Sequence, residues 1–362
     1  MPNRNDAVSA ALRLEQAKEL LDEGSFARAL AVLKKPLPKE FRPEGDILKA
    51  DCLRGRGFLA AAASLYRGLV DRLAAPDRAS WLDCCLGLVA CLRSLGEVAE
   101  ARRYWAVGRK VAATREVKER FDLEGALIER AAGDFGPCMK KLRRHLARFK
   151  RERDWAGAGY VLWALGGALR FAGDLAGSRR AFLESLAFSR RASDSSGQAY
   201  ALFGLGGVTR IQGRFAEAEG YYSRALKAMA GTEDAFGQAY AHCGLANVIR
   251  QRGRLVEAQR HYVQAHKLYS GLEDPVDLAY VDWGLGQIHL KRGEMVPAEK
   301  RIRVALKGFS EGGETRGIVL SETSLAVLFH AKGQTKEAER IFDRAVRRAR
   351  RAGIHTHLEM FT

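Results

Sequence analysis

Tyrosine and arginine side chains recur at a constant spacing of 40 residues from residue 160 onward. Tyrosines offer contact area at a small cost in entropy, and arginines bind carboxylates through two parallel hydrogen bonds. These residue types indicate a surface that binds an extended peptide with acidic and apolar side chains. The tyrosines are Tyr160, Tyr200, Tyr240 and Tyr280, and the arginines are Arg170, Arg210 and Arg250.

Two motifs that accompany catalysis are missing from the sequence. It contains no G-x-x-x-x-G-K-[ST] and no H-E-x-x-H, so a phosphate loop and a zinc protease are not predicted. Cys243 follows His242 directly, and helix neighbours point about 100° apart, so the two do not form a catalytic pair. We expect no enzyme, no cofactor and no metal site.

Acidic residues also recur every 40 residues, just before each predicted first helix. A row of carboxylates could bind a metal ion or serve as bases. An aspartate at the start of a helix more commonly accepts the free N–H groups of the first turn and favours the positive end of the helix dipole. We therefore interpret these residues as helix N-caps; they are Asp154, Asp194, Asp234, Asp274 and Glu314.

The elements that position these side chains are marked by glycines that end one helical pattern and precede a polar residue. Five consecutive intervals between them are 40 residues long, and the upstream intervals are 33, 39, and 37 residues. Such a period is typical of repeat proteins, which grow without adding separate cores. The turn glycines are Gly24, Gly57, Gly96, Gly133, Gly173, Gly213, Gly253, Gly293 and Gly333.

Around each turn glycine, large and small residues alternate at fixed positions, which we number from that glycine. A leucine at −8 stands beside a glycine or alanine at −7, small residues occupy +5 and +12, and a large residue usually occupies +9. This pattern predicts two helices that approach each other closely on either side of the turn. In the repeat around Gly213 these residues are Leu205, Gly206, Ala218, Tyr222 and Ala225.

Together with Gly213-Arg214-Phe215, these residues resemble the tetratricopeptide repeat (TPR) signature. The 40-residue period resembles the longer repeats of Pins/LGN scaffolds and MalT-type bacterial regulators. The resemblance is strong over 155–352, fair over 115–154 and weak before that. The fourth unit departs from it, with Gly125, Cys138 and His145 where leucine and two alanines are expected.

The resemblance implies an all-α, right-handed superhelical solenoid of about nine helical hairpins. We divide the chain into irregular TPR-like hairpins over 1–114, a regular array with a 40-residue period over 115–352, and a C-terminal tail over 353–362.

In the first helices, positions −13, −10, −6 and −3 share one stripe that is distinct from the leucine and glycine core. In TPR proteins the stripe so placed faces the concave groove, so the resemblance implies a binding groove there. Alternatively, the tyrosines only pack between helices and the arginines meet the capping aspartates. The predicted binding residues are Tyr160, Trp163, Arg170, Tyr200, Phe203, Arg210, Tyr240, Asn247, Arg250, Tyr280, Trp283 and Gln287.

A second candidate surface is the basic segment 139–153, which has apolar residues at helical spacing and eight Lys or Arg against one Glu. An acidic protein, a nucleic acid or an anionic membrane surface would be attracted to it, and a solvated helix face is the alternative without function. The residues in question are Lys140, Lys141, Arg143, Arg144, Arg148, Lys150 and Arg151.

The composition agrees with a folded helical protein. Of the 362 residues 47% are hydrophobic and 28% charged, with eight prolines and a net charge of +17. No secretory leader is visible, and the longest uncharged runs are 15 residues, shorter than a spanning helix of about 18. We expect a cytoplasmic protein without a membrane span, whose six cysteines serve as buried apolar residues.

These observations favour a non-catalytic TPR scaffold or adaptor that holds an extended, acidic protein segment in its concave groove. One alternative is a nucleic-acid-binding or regulatory protein that uses the basic helix 139–153. Another is a homo-oligomer that assembles end on end, because a repeat array with an imperfect cap exposes its last hairpin.

Overall fold

A computed structural model describes residues 4–73, 78–272, 274–352 and 354. These residues form 18 α-helices and one 3-10 helix, Lys39–Phe41, and contain no strand. The all-α prediction is therefore confirmed. The predicted C-terminal tail 353–362 lies outside the described residues, apart from Ile354.

The helices follow one another with short connections. The first nine are α1 Arg4–Asp22, α2 Phe26–Val32, α3 Arg42–Gly55, α4 Leu59–Arg72, α5 Arg78–Ser94, α6 Val98–Val111, α7 Arg115–Ala132, α8 Phe135–Glu152 and α9 Trp155–Phe171. The next nine are α10 Leu175–Arg191, α11 Ser195–Ile211, α12 Phe215–Met229, α13 Ala235–Gln251, α14 Leu255–Leu272, α15 Pro275–Lys291, α16 Met295–Glu311, α17 Thr315–Ala331 and α18 Thr335–Arg351.

Every turn glycine adopts the left-handed backbone conformation, with φ between +74° and +90°. At Gly213 the N–H donates to the Arg210 carbonyl over 3.0 Å, and the next N–H, of Arg214, donates to the Thr209 carbonyl over 2.9 Å. This closure satisfies free carbonyls at the end of α11, and its left-handed backbone favours a residue without a Cβ. The turn glycines thus mark the ends of the first helices of the hairpins, as predicted.

Within a hairpin, the large and small residues meet as predicted. Leu205, Ala218 and Ala225 are fully buried, and Tyr222 is 3% exposed. A Cβ on Gly206 would lie 2.8 Å from the Tyr222 ring, so the ring rests directly on the helix backbone. The small residue at −7 therefore makes room for the large residue at +9.

The same ring also packs on the following hairpin, a contact that the sequence analysis did not predict. A Cβ on Gly244, at position −9 of the next repeat, would overlap the Tyr222 ring. The relation recurs in other repeats: Tyr66 lies on Gly87, Phe182 on Gly204, and Tyr262 on Gly284. A ring at +9 that meets a glycine at −9 is thus the recurring contact between successive hairpins.

The chain divides into two compact units. The first unit comprises residues 1–172, 184–197 and 231–235, and the second comprises 173–183, 198–230 and 236–362. The boundary at 114/115 that the sequence suggests falls at the start of α7 and stays a prediction.

Aspartates begin several helices as predicted. The Oδ1 atoms of Asp154, Asp194 and Asp274 accept hydrogen bonds of 2.8–2.9 Å from the backbone N–H three residues later. Glu314 instead accepts a 2.9 Å hydrogen bond from the Tyr280 hydroxyl. The capping interpretation is confirmed for these three aspartates.

The fourth repeat forms α7 and α8 despite its departures from the pattern. Gly125 lies under the Trp105 ring, whose nearest atom would be 2.9 Å from an added Cβ. Cys138 is fully buried and His145 is 3% exposed. Among the described residues, no helix is long and apolar enough to cross a membrane.

Candidate binding stripe on the first helices

The first-helix stripe consists of positions −13, −10, −6 and −3 of α9, α11, α13 and α15. Its predicted residues differ in exposure. The buried members, at 3–6% exposure, are Phe203, Arg250, Trp283 and Gln287. The partly exposed members of the second unit are Tyr200, Arg210, Tyr240, Asn247 and Tyr280, and those of the first unit are Tyr160, Trp163 and Arg170.

Tyrosines of the second unit pack between neighbouring helices while part of each ring remains exposed. The centroid of Phe203 lies 5.5 Å from that of Tyr200 and 5.2 Å from that of Tyr240, both in edge-on geometry. Tyr280 makes a similar contact with Phe309 at 4.6 Å. Packing between helices and contact with a ligand are therefore compatible for the tyrosine row, because the same rings both pack and reach the surface.

Arg250 and Asn247 are held together by a tyrosine of the second helix. The Tyr262 hydroxyl donates to Asn247 Oδ1 over 2.9 Å and accepts from Arg250 Nε over 3.3 Å. The Arg250 guanidinium also lies 5.2 Å from the centroid of the Trp283 ring. Arg250 is therefore an interior residue whose role is to fix its neighbours.

Trp283 and Gln287 share one hydrogen-bond partner on α17. Trp283 Nε1 and Gln287 Nε2 donate to Ser324 Oγ over 2.9 and 2.6 Å. These buried bonds fix both side chains between α15 and α17. Both side chains are therefore held inside the protein.

Arg210 has a different environment from Arg250. It is partly exposed, and its Nε is buried without a hydrogen-bond partner. Within the described part of the chain, neither Arg210 nor Arg170 forms an ion pair, so neither meets a capping aspartate. A guanidinium that has no carboxylate partner in the protein can bind a carboxylate of a ligand.

In the first unit, Trp163 of the stripe contacts both Tyr160 and Arg130. Tyr160 is 40% exposed, yet burial raises the pKa of its hydroxyl. Its ring lies 5.8 Å from the Trp163 ring, and the Arg130 guanidinium lies 4.8 Å from the Trp163 centroid.

Three stripe arginines escaped the sequence analysis. Arg54, Arg93 and Arg130 stand at position −3 of the repeats that end at Gly57, Gly96 and Gly133. The signal was available, since the same count from these glycines finds them. Irregular upstream intervals conceal Arg54 and Arg93, whereas Arg130 stands one 40-residue period before Arg170, in the unit that departs from the pattern at Gly125, Cys138 and His145.

The first two of these arginines have acidic partners. Arg54 binds Asp51 at 3.2 Å and Arg93 binds Glu124 at 3.2 Å. Burial disfavours the charge on Arg93, but Glu124 outweighs it and raises the pKa of this residue. Arg130 behaves oppositely, because burial and the charges of Arg93 and Arg170 lower its pKa to about 10.

The basic helix α8 is amphipathic as predicted, with Leu142 fully buried. Four of its seven candidate residues form ion pairs with carboxylates: Lys141 with Glu129, Arg144 with Asp122, Arg148 with Glu119 and Lys150 with Glu184. Lys140, Arg143 and Arg151 form none among the described residues. The pairing weakens the local positive field to which a polyanion would respond.

His242 and Cys243, which are neighbours in the sequence, contact different partners. Burial raises the pKa of the Cys243 thiol to about 12, which disfavours the nucleophilic thiolate. The His242 ring contacts His261 instead, with 2.9 Å between their Nδ1 atoms. Within the described ranges, no group of three or more metal-binding side chains occurs. The other five cysteines are buried, as predicted.

The family model described as the MalT-like TPR region matches residues 126–307, about half of the chain. The chain belongs to the MalT-like TPR family. This assignment confirms the TPR resemblance that the glycine period and the Leu205-Gly206 pattern indicated. No curated protein matches the sequence of this TPR chain.

Solved structures share the TPR-like fold. A Rap protein in complex with competence and sporulation factor is similar with a TM-score of 0.68 and 12% identity, covering 94% of this chain and 98% of that one. RapI in its apo form gives 0.59 and 14%, covering 74% and 97%. Aspartyl phosphate phosphatase F from Bacillus subtilis gives 0.60 and 9%, covering 94% and 93%. At these identities the similarity shows the fold alone.

Proposed function

We propose that this TPR protein is a non-catalytic cytoplasmic scaffold or adaptor that binds an extended, acidic protein segment along its first-helix stripe. The observation that carries the proposal is the combination on α11 of partly exposed Tyr200 at −13 with Arg210 at −3, which forms no ion pair within the described ranges and whose Nε is buried without a hydrogen-bond partner. Partly exposed Tyr240 and Asn247 follow on α13 of the same unit, so an extended segment can meet one set of side chains after the other.

The interior members of the stripe support this role indirectly. Buried Arg250, Trp283 and Gln287 are fixed by hydrogen bonds to Tyr262 and Ser324. Side chains held in this way keep the exposed tyrosines in place before a ligand arrives, which lowers the entropy cost of binding. Residues that contact the ligand are then Tyr200, Tyr240, Asn247 and Arg210.

The Rap protein similar in fold is complexed with competence and sporulation factor. That complex is a property of the Rap protein, and it supports the proposal only in that a fold of this kind can bind another molecule. The acidic character of the partner rests on the arginines of this chain.

A peptide library tests the proposal. Purified protein is immobilised and exposed to random hexapeptides, and the retained pool is identified by mass spectrometry. Arg210→Glu should reduce retention of acidic peptides at least about tenfold, because a lost charge-assisted hydrogen bond costs about 1.5–3 kcal/mol. The matched control is Arg260→Glu on α14, which makes the same charge change at an exposed site.

Equal losses in Arg210→Glu and Arg260→Glu would mean that net charge, and not the stripe, governs retention. No retention by the wild type would remove the proposal altogether. Nucleic-acid binding through α8 and end-on-end self-assembly remain predictions from the sequence, and no observation on the described residues favours either.

A further inference from the structure

The arginines at position −3 differ in whether the protein itself satisfies them. Arg54 and Arg250 each donate a hydrogen bond to a tyrosine at +9, and that tyrosine donates to a side-chain oxygen at −6. Tyr66 donates to Asp51 over 2.6 Å and lies 3.4 Å from Arg54 Nε, just as Tyr262 joins Asn247 and Arg250. These two arginines therefore have their hydrogen bonds within their own repeats.

The repeats of Arg130 and Arg170 lack both the tyrosine at +9 and the oxygen-bearing side chain at −6. Their repeats have Leu142 and Phe182 at +9, and neither carries a hydroxyl; position −6 is Leu127 in one and Gly167 in the other. Neither arginine forms an ion pair within the described ranges, and Arg170 Nε is buried without a hydrogen-bond partner. In the described ranges, neither guanidinium is therefore neutralised by an ion pair with its own repeat.

Each of the two arginines lies over an aromatic ring of α9 in the first unit. The Arg130 guanidinium lies 4.8 Å from the Trp163 centroid, and the Arg170 guanidinium lies 4.9 Å from the Phe171 centroid. Arg130 also reaches the backbone of α9, where an added Cβ on Gly167 would lie 3.2 Å from its Nη1. The missing side chain at Gly167 makes room for the guanidinium beside Trp163.

Burial lowers the pKa of Arg130, and the charges of Arg93, which pairs with Glu124 at 3.2 Å, and of Arg170 lower it further. The like charges near this guanidinium are therefore costly. Desolvated like charges repel each other more strongly than charges in water. A bound anion would remove this cost, and arginine binds planar anions through paired hydrogen bonds.

We propose that Arg130 and Arg170, with Trp163 beside Arg130, form a carboxylate-binding site for an acidic peptide segment. The site takes a planar carboxylate, supplied either by an Asp or Glu side chain or by a chain terminus. The inference rests on the proposed function for the nature of the ligand. It differs from it in location, because Arg210 belongs to the second unit and this site to the first.

Two random hexapeptide libraries test the site, one with amidated and one with free C-termini, both N-acetylated. The wild-type protein should retain either amidated peptides enriched in Asp and Glu, or peptides that need a free C-terminus. The first result identifies a side-chain carboxylate and the second a terminal one. Arg130→Gln and Arg170→Gln should each reduce that selectivity about tenfold, and the exposed control Arg143→Gln should not.

A thermal melt without ligand separates binding from a purely structural role. If Arg130 lies over Trp163 only to fill space, Arg130→Gln lowers Tm; if its charge is uncompensated, Tm stays equal or rises. The site is refuted if both variants keep the wild-type selectivity while peptides are still retained, which leaves the proposed function standing. If the wild-type protein retains no peptide at all, both the carboxylate site and the proposed function are overturned.

Discussion

At the scale of single residues, the glycines with the strictest role are those under a ring of the preceding hairpin. Tyr262 is fully buried, and its hydroxyl is bound to Asn247 and Arg250, so its ring cannot move aside. An added Cβ on Gly284 would overlap that ring. The pairing of a ring at +9 with a glycine at −9 therefore fixes how two hairpins fit together.

We predict that Gly284→Ala destabilises the protein by about 1–3 kcal/mol, the usual cost of overpacking a tight interior. The control is Gly220→Ala, because Gly220 is exposed in the middle of α12 and an added Cβ meets nothing within 4 Å. That change should stabilise α12 by about 0.5–1 kcal/mol, since alanine is the better helix former. Urea unfolding measures both, and effects of the same sign would contradict the packing described.

The sequence identified the candidate residues but could not rank them. Arg170, Arg210 and Arg250 look equivalent in the 40-residue series, yet only Arg250 is interior and tied to Tyr262. Ion pairs such as that of Arg93 with Glu124 join different hairpins, and period alone does not define such contacts. The exposure of each member of the stripe depends on which side chains the adjacent repeat supplies.

At the scale of elements, helix ends and hairpin closure were predictable because each depends on residues that are close in sequence. The positive φ at every turn glycine and the N-cap hydrogen bonds of Asp154, Asp194 and Asp274 follow from local chemistry. The contact of each ring with the next hairpin was not predicted. It joins residues 21 or 22 positions apart, whose sizes match only across two repeats.

The histidine pair that joins α13 and α14 predicts an acid sensitivity. Burial lowers the pKa of His242, and the nearby His261 lowers it further. Burial also lowers the pKa of His261, although Glu257 and Glu219 act in the opposite direction on this residue. The unfolded chain then binds more protons near its ordinary pKa of about 6.5. The contribution of this pair to the free energy of unfolding is therefore fully present above about pH 6.5 and declines as the pH falls below that value.

Thermal melts between about pH 7.5 and about pH 5.5 measure this effect. The wild type should lose more of its Tm on acidification than His242→Gln, which removes the repulsion between two protonated rings. His330→Gln replaces an exposed histidine and should behave as the wild type. Identical pH profiles for wild type and His242→Gln would mean that the ring contact carries no proton-linked energy.

At the scale of the whole molecule, 60 Lys and Arg against 43 Asp and Glu give a net charge of +17. Much of the positive charge on α8 is offset by ion pairs, whereas Arg130, Arg170 and Arg210 are not offset within the described ranges. The proposed function uses the excess charge in two ways, as a long-range attraction for acidic chains and as specific sites for single carboxylates.

These two effects respond differently to salt. The Debye length shrinks from about 10 Å at 0.1 M to about 3 Å at 1 M, so long-range attraction is screened before close contacts are. For an acidic peptide we expect an association rate that falls steeply with added salt and a dissociation rate that changes much less. Surface plasmon resonance separates the two rates, and an association rate independent of salt would contradict this expectation.

The central claim is that a bound segment lies along the first-helix stripe, and site-specific photo-crosslinking tests it most directly. A photoreactive phenylalanine replaces either Tyr240, which is partly exposed on α13, or Val263, which is 52% exposed on α14. The account predicts that retained peptides crosslink at position 240 and not at 263. Crosslinks at 263 with none at 240 would place the ligand on the second helices and contradict it.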